Sequence, residues 1–254
     1  MGQSNRESRV ESQSKVGPDP AADAATGGRG VLRGAFELLE ALERIEGAGL
    51  TRLASECGLP KTTVYRLLEQ LVALGAVERG GANYRMGPQM FRLGQQWQPY
   101  PGLRAAAKEP MRRLIRATGA TVGICVLRQN QTLALDWMPG EGTSHAVLRA
   151  GVTWPWFTAA GKVLTAAAYP HLPTWPVPPS WPREAAEIRD RGAAFEREKV
   201  LPGVCCAAVP VYGGGDDAVV AALCILTDPQ HHLDRLVEVA QKTSRSISTG
   251  LHRR

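Results

Sequence analysis

From Val31 onward, apolar residues recur at helical spacing (Val31, Ala35, Leu38 with Leu39, Leu42, Ile45) until Gly47-Ala48-Gly49 interrupts the run. The spacing predicts a first helix with one buried face. A shorter apolar set follows, Leu53, Ala54 and Cys57, with Thr51 as its predicted N-cap and Gly58 as its stop. Pro60 opens a third helix at the first turn, where a missing N–H loses nothing. Over 61–74 the faces separate. Val64, Leu67, Leu68 and Leu71 form the apolar stripe, and Lys61, Thr62, Tyr65, Arg66, Glu69 and Gln70 lie off it. After Gly75 the period shortens to two through Ala76-Val77-Glu78-Arg79, a Gly80-Gly81-Ala82-Asn83 turn and Tyr84-Arg85-Met86, which reads as a β-hairpin. Three helices with a tight turn before the third, then a hairpin, predict a winged helix-turn-helix.

On either side of this module the pattern changes. Residues 1–28 are rich in Ser, Gly, Ala, Asp and Pro without apolar periodicity and read as a disordered tail. The winged domain is assigned to 29–87. A linker follows at 88–118, with helical stretches at 89–97 and 103–117 parted by Pro99-Tyr100-Pro101-Gly102. Pro110 predicts a kink or a delayed start in the second of them. Residues 119–254 alternate strand-like runs (122–127, 133–138, 146–148, 207–211, 219–226) with helices after Thr158, at 183–191 and at 233–251. That order predicts an α+β domain with a mostly antiparallel sheet. Six prolines and two tryptophans make 170–182 an irregular loop.

Charge refines the picture only when it is divided by segment. The formal net charge is +6, which permits a polyanionic partner. The winged domain carries eight basic and seven acidic residues, so a DNA contact there must come from one polarised face. Most of the surplus sits in 88–118, where Arg92, Arg104, Lys108, Arg112, Arg113 and Arg116 face a single acid, Glu109. The longest apolar run, 218–226, is too short to cross a bilayer, and no secretory leader is visible, so no membrane partner is expected and the cytoplasm is the expected compartment. The five cysteines, at 57, 125, 205, 206 and 224, lack metal-binding spacing and read as free thiols. No cofactor or metal is expected.

The start of a recognition helix meets base edges in the major groove. Thr62, Arg66 and Glu69 or Gln70 are the base-facing candidates, flanked by Lys61 and Tyr65. Thr63 and the wing residues Arg79, Asn83 and Arg85, together with Lys61, suit phosphates or a minor groove. The plain alternative is a solvated face on a protein-binding winged helix. In the second domain the histidines at 145, 171, 231, 232 and 252 sit in no catalytic context. Cys205 and Cys206, adjacent on a strand, point to opposite faces and cannot easily share one metal. They read as buried structural thiols, with pocket lining by one of them as an alternative. The segment from Gly151 to Lys162 places small residues at a helix start after an aromatic loop. First-turn N–H groups could there hold a carboxylate while Trp154, Trp156 and Phe157 cover an apolar body, although ordinary packing explains the same small residues.

Together, Leu59-Pro60-Lys61-Thr62-Thr63-Val64-Tyr65-Arg66-Leu67-Leu68, Leu71-Val72-Ala73-Leu74-Gly75 and Tyr84-Arg85-Met86-Gly87-Pro88 resemble the DNA-binding half of the IclR family of bacterial transcriptional regulators. Pro155, Thr158-Ala159, Gly161-Lys162, Arg191-Gly192 and the run from Pro202 to Val211 resemble its effector-binding half, in the same order and spacing. The resemblance implies a winged helix-turn-helix joined by a linker helix to a GAF-like domain. It also implies a homodimer, pairing into tetramers, that binds double-stranded operator DNA and a small carboxylated or aromatic metabolite. Carried over by position, the effector pocket falls at Ala159, Ala160, Glu196, Cys206, Ile225 and Thr227, beside Trp154, Trp156 and Thr158. Glu196 stands where a shorter acid is familiar, and Ile225 and Thr227 lie on a strand where two hydroxyls would serve an acid, so a less polar ligand than a small keto acid is expected. No enzyme activity is expected. The alternatives are an orphan regulator whose second domain only oligomerises and, more remotely, a cysteine-dependent enzyme on the GAF-like domain.

Overall fold

The structure is a computed structural model that describes residues 20–45, 47–141, 148–171, 177–214, 218–230 and 233–253, with backbone alone for 20–29. It divides into two compact units, Met1–Trp97 and Gln98–Arg254.

In the first unit, α1 (Pro20–Arg44) begins inside the stretch assigned to the tail, because alanines at 21, 22, 24 and 25 are strong helix formers that extend it backward. Residues 1–19 lie outside the described residues. Gly47-Ala48-Gly49 does more than end α1. Ala48–Gly49 forms β1, which pairs with the hairpin and makes its sheet three-stranded. Helix α2 (Leu50–Cys57) therefore starts directly after β1, with Gly49 as its N-cap; Thr51 lies inside the helix and does not cap it. Gly58 closes α2 in the left-handed conformation at φ +63°, where glycine carries no steric penalty. Helix α3 (Lys61–Ala73) takes Pro60 as N-cap and buries Val64, Leu67, Leu68 and Leu71 against Leu38, Leu42 and Leu53. Strands β2 (Val77–Gly80) and β3 (Asn83–Met86) pair in register from Val77 with Met86 to Gly80 with Asn83. Helix α4 (Pro88–Gln96) follows Gly87, whose lack of a side chain is required: a Cβ there would lie 2.2 Å from the Gly75 carbonyl oxygen.

The second unit is one antiparallel sheet between two helical layers. In sequence it runs α5 (Leu103–Thr118), β4 (Thr121–Arg128), β5 (Gln131–Met138), β6 (Thr153–Trp154), α6 (Ala159–Ala168), α7 (Trp181–Arg191), β7 (Ala194–Arg197), β8 (Cys205–Gly213), β9 (Ala218–Thr227) and α8 (Leu233–His252). The strand order is β6-β5-β4-β9-β8-β7, with the long apolar run 218–226 in the interior strand β9. Helices α5 and α8 cover one face through Leu103, Met111, Leu114, Leu233, Val237 and Ile247. Helices α6 and α7 cover the other through Val163, Leu164, Trp181 and Ile188.

Several expectations change here. Helix α5, inside the stretch assigned as linker, seals its apolar side into the sheet core, while Arg104, Lys108, Arg112, Arg113 and Arg116 remain exposed. It starts at Leu103 and runs through Pro110, so the start is not delayed. A strand expected at 146–148 falls partly outside the described residues, and Leu148 is irregular; β6 takes the place beside β5 instead. Trp181, expected in the Pro-rich loop, opens α7 and is fully buried against Trp156, because an indole of that size is worth more in the core than in solvent. Residues 172–176 of that loop, and His231 with His232, lie outside the described residues.

Candidate functional site

Among the described residues, one place in each unit gathers the predicted site residues. In the first, the α3 stripe that packs inward leaves the rest of the helix to solvent. Lys61, Thr62, Thr63, Arg66, Glu69 and Gln70 are exposed, and Tyr65 is 45% exposed although it is aromatic. A helix that turns two hydroxyls, an amide, an ammonium and a guanidinium outward offers the donors and acceptors that base edges and phosphates require. The wing is less free than its sequence implies. Glu78 and Arg85 are cross-strand partners and close a 2.9 Å ion pair, so the Arg85 guanidinium is already engaged. Arg79 donates from Nε to the Gly81 carbonyl at 3.3 Å and lies 5.7 Å over the ring of buried Tyr84. Asn83 is exposed at the turn.

The second place is a cleft on the α6 and α7 side of the sheet. Alternation along the strands selects its floor: Cys206 on β8, Cys224 on β9 and Cys125 on β4 point the same way, and the Cys224 and Cys125 sulfurs are 3.9 Å apart. Cys205 points to the opposite core, so the adjacent thiols are separated as expected. Glu196 on β7, the cross-strand partner of Cys206, joins the lining at 6% exposure, with Oε1 accepting the Lys199 backbone N–H. Thr158 caps α6 by accepting the Gly161 N–H at 3.1 Å, and Thr158 and Ala160 form one wall. Trp137, Trp154 and Leu148 form another wall, and the turn holding Val200, Leu201 and Val204 lies across the remaining side. The cleft holds about 430 Å³ of atom-free space out to its open mouth, and its enclosed part is much smaller.

Trp154, Thr158, Ala160, Glu196 and Cys206 are thus brought together as the sequence predicts. Four others are not. Ile225 faces the α5 and α8 core one position out of phase with Cys224 and Leu226, and Thr227 shares its side through pairing with Cys205. Ala159 is buried in helix packing. Trp156 stacks edge-to-face on Trp181 at 5.1 Å and does not line the cleft. The small residue at Gly161 answers to packing: a Cβ there would meet the Trp156 carbonyl oxygen at 2.3 Å. The lining residues Cys125, Trp137, Leu148, Val200, Leu201, Val204, Cys224 and Leu226 have no individual sequence signal. Only the cross-strand register, with Cys206 as the starting point, identifies the strand residues among them.

Residues 31–81 match the IclR helix-turn-helix domain, and residues 174–249 match the bacterial transcriptional regulator IclR C-terminal domain. The glycerol operon regulatory protein of Streptomyces coelicolor is 31% identical over 180 residues, which cover 65% of this chain and 71% of that protein. The chain belongs to the IclR family. The HTH-type transcriptional regulator BhcR of Paracoccus denitrificans is 28% identical over 205 residues, 74% of each chain. An IclR homologue from Microbacterium hydrocarbonoxydans, solved in complex with 4-hydroxybenzoate, superposes with a TM-score of 0.76 at 21% identity, covering 88% of this chain and all of that one. The IclR of Thermotoga maritima superposes with a TM-score of 0.68 at 22% identity over 88% of this chain and 99% of that one. This IclR-family chain is a DNA-binding transcriptional regulator of the helix-turn-helix type. No helix among the described residues is long and apolar enough to cross a membrane.

Proposed function

We propose that this regulator reads operator DNA with the exposed face of α3 and responds to a small aromatic molecule held in the cleft of the second unit. Lys61, Thr62, Thr63, Tyr65, Arg66 and Gln70 form the reading face. Arg79, Asn83 and Arg85 of the wing touch the backbone or minor groove. The working divisions are 29–87 for DNA, 88–118 for coupling and self-association, and 119–254 for the ligand. The chain acts in the cytoplasm as a homodimer or a pair of dimers, without catalysis. A ligand changes operator affinity only by binding two arrangements of that assembly unequally.

The observation that carries this reading is the outward presentation of the polar residues of α3 beside a hairpin wing. The bound 4-hydroxybenzoate of the structurally similar homologue supports an aromatic ligand. A gel shift against the promoter fragment beside the protein's own gene tests it. Arg66→Ala is expected to weaken binding by about tenfold to a hundredfold, the range for losing one base-contacting arginine. Equal binding by the variant refutes the role of Arg66, and failure of the intact protein to shift any genomic fragment refutes the DNA reading.

A further inference from the structure

The lining of the cleft is chemically lopsided. Among the described residues it carries one carboxylate, Glu196, and no cationic side chain, set among three thiols and apolar walls. An anionic ligand would bring a second negative charge beside Glu196 in a place with little water to screen it. The α6 N-terminus gives an anion limited help, since the Gly161 N–H is already taken by the Thr158 hydroxyl. A second observation points to what does fit. The indole Nε1 atoms of Trp137 and Trp154, both lining residues, are buried and have no hydrogen-bond partner among the described residues, as is also true of Trp181 Nε1 outside the lining. A desolvated donor left unmade is unfavourable, so a bound acceptor oxygen complements either lining indole.

We propose that the cleft is built for an uncharged aromatic molecule that donates a hydrogen bond to Glu196 and accepts one from an indole N–H, and that it discriminates against the corresponding carboxylic acids. The proposal rests on the reading of this cleft as the ligand site and narrows it to one charge class. Because the enclosed part of the cleft is small, an aromatic ring enters by parting its walls. The turn bearing Val200, Leu201 and Val204 lies across one side and is held by the Glu198 N–H to the Val204 carbonyl at 2.9 Å, the Val204 N–H to the Leu201 carbonyl at 3.1 Å, the Gly203 N–H to the Glu198 carboxylate at 3.0 Å and the Lys199 N–H to Glu196 Oε1.

The test is calorimetric titration of the full chain with 4-hydroxybenzamide and with 4-hydroxybenzoate, which differ in charge and little else. The amide is expected to bind at least about tenfold tighter, a difference of about 1.4 kcal/mol. Glu196→Gln keeps the acceptor for the Lys199 N–H, and it is expected to shrink the gap to below about threefold by raising the affinity of the acid. Trp137→Phe or Trp154→Phe keeps an aromatic wall without the donor and is expected to weaken the amide by about two- to tenfold, the range for one lost hydrogen bond. Thermal melts of each variant confirm that it folds. Tighter binding of the acid by the native chain, or a ratio unmoved by Glu196→Gln, overturns the charge class while leaving the ligand site standing. If neither probe, nor the amine 4-hydroxybenzylamine, binds to native chain or variant, the ligand site itself is refuted and the proposal falls with it.

Discussion

Gly123 is the position where one added methyl group would be felt throughout the cleft. It lies on β4 directly opposite Trp137 on β5, and the indole ring covers it. A Cβ at this position would stand 2.2 Å from Cε3, 2.3 Å from Cζ3 and 2.6 Å from Cδ2 of that ring. Carbon atoms prefer separations of about 3.5–4.0 Å, so Gly123→Ala must push the ring back by more than an ångström. The ring lines the cleft, so its displacement moves one of the walls. Overpacking of this kind costs about 1–3 kcal/mol. For a unit of this size each kcal/mol lowers the melting temperature by about 2–4 °C, so a fall of about 2–12 °C is expected. Circular dichroism melts give the stability, and the indole fluorescence spectrum reports the moved ring. The decisive comparison is a double-mutant cycle with Trp137→Ala. Trp137→Ala alone is destabilising because it removes buried aromatic surface, but in its background Gly123→Ala meets no ring and becomes neutral or slightly stabilising, as alanine is favoured over glycine in a strand. An equal loss in both backgrounds, or no loss in the native one, would refute the account of Gly123 as the seat of Trp137.

Two further outcomes follow from groups already placed. Glu78→Gln releases Arg85 from its 2.9 Å ion pair, and the freed guanidinium is expected to add about one unit to the slope of log affinity against log salt. An unchanged slope in a salt-titrated gel shift removes Arg85 from the DNA contacts. In the cleft floor, hydrogen bonds with Cys125 and Cys206, and then burial, hold the Cys224 thiol well above its ordinary value of 9.0. The folded chain therefore keeps a proton that the unfolded chain releases, so this contribution to stability is complete well below the unfolded value of 9.0 and is lost as pH rises through and above it. Urea midpoints at about pH 7.5 and about pH 9.5 check this against Cys224→Ala, in which the decline is shallower; an equal decline refutes it.

Local chemistry explains why the winged domain is so legible. Its helix boundaries rest on Gly58, Pro60 and Gly75, and its core stripe repeats within a single helix, so short-range periodicity is enough to identify which α3 residues face solvent. The same local signals are silent about partners. Nothing in Gly47-Ala48-Gly49 announces a strand, because β1 exists only through pairing with Asn83 and Tyr84 of β3. Arg85 likewise reads as a free cation until the hairpin register sets Glu78 across from it.

In the second unit the division is sharper. Sequence alone determined that Thr158 starts a helix and that Cys205 and Cys206 part company, since caps and strand alternation act over one to three residues; the placing of Glu196 with Cys206 came only from the resemblance to the family's motifs. Tertiary structure decided the phase of β9 against β8, and with it that Cys224 and Leu226 enter the cleft while Ile225 and Thr227 leave it. It also decided that Trp181 is core, that Trp156 packs on it, and that α5 is sealed to the sheet. The physical reason is range. A helix face or a cap is set by neighbours along the chain, but a cleft floor is set by register between strands distant in sequence, where a shift of one residue exchanges the two faces.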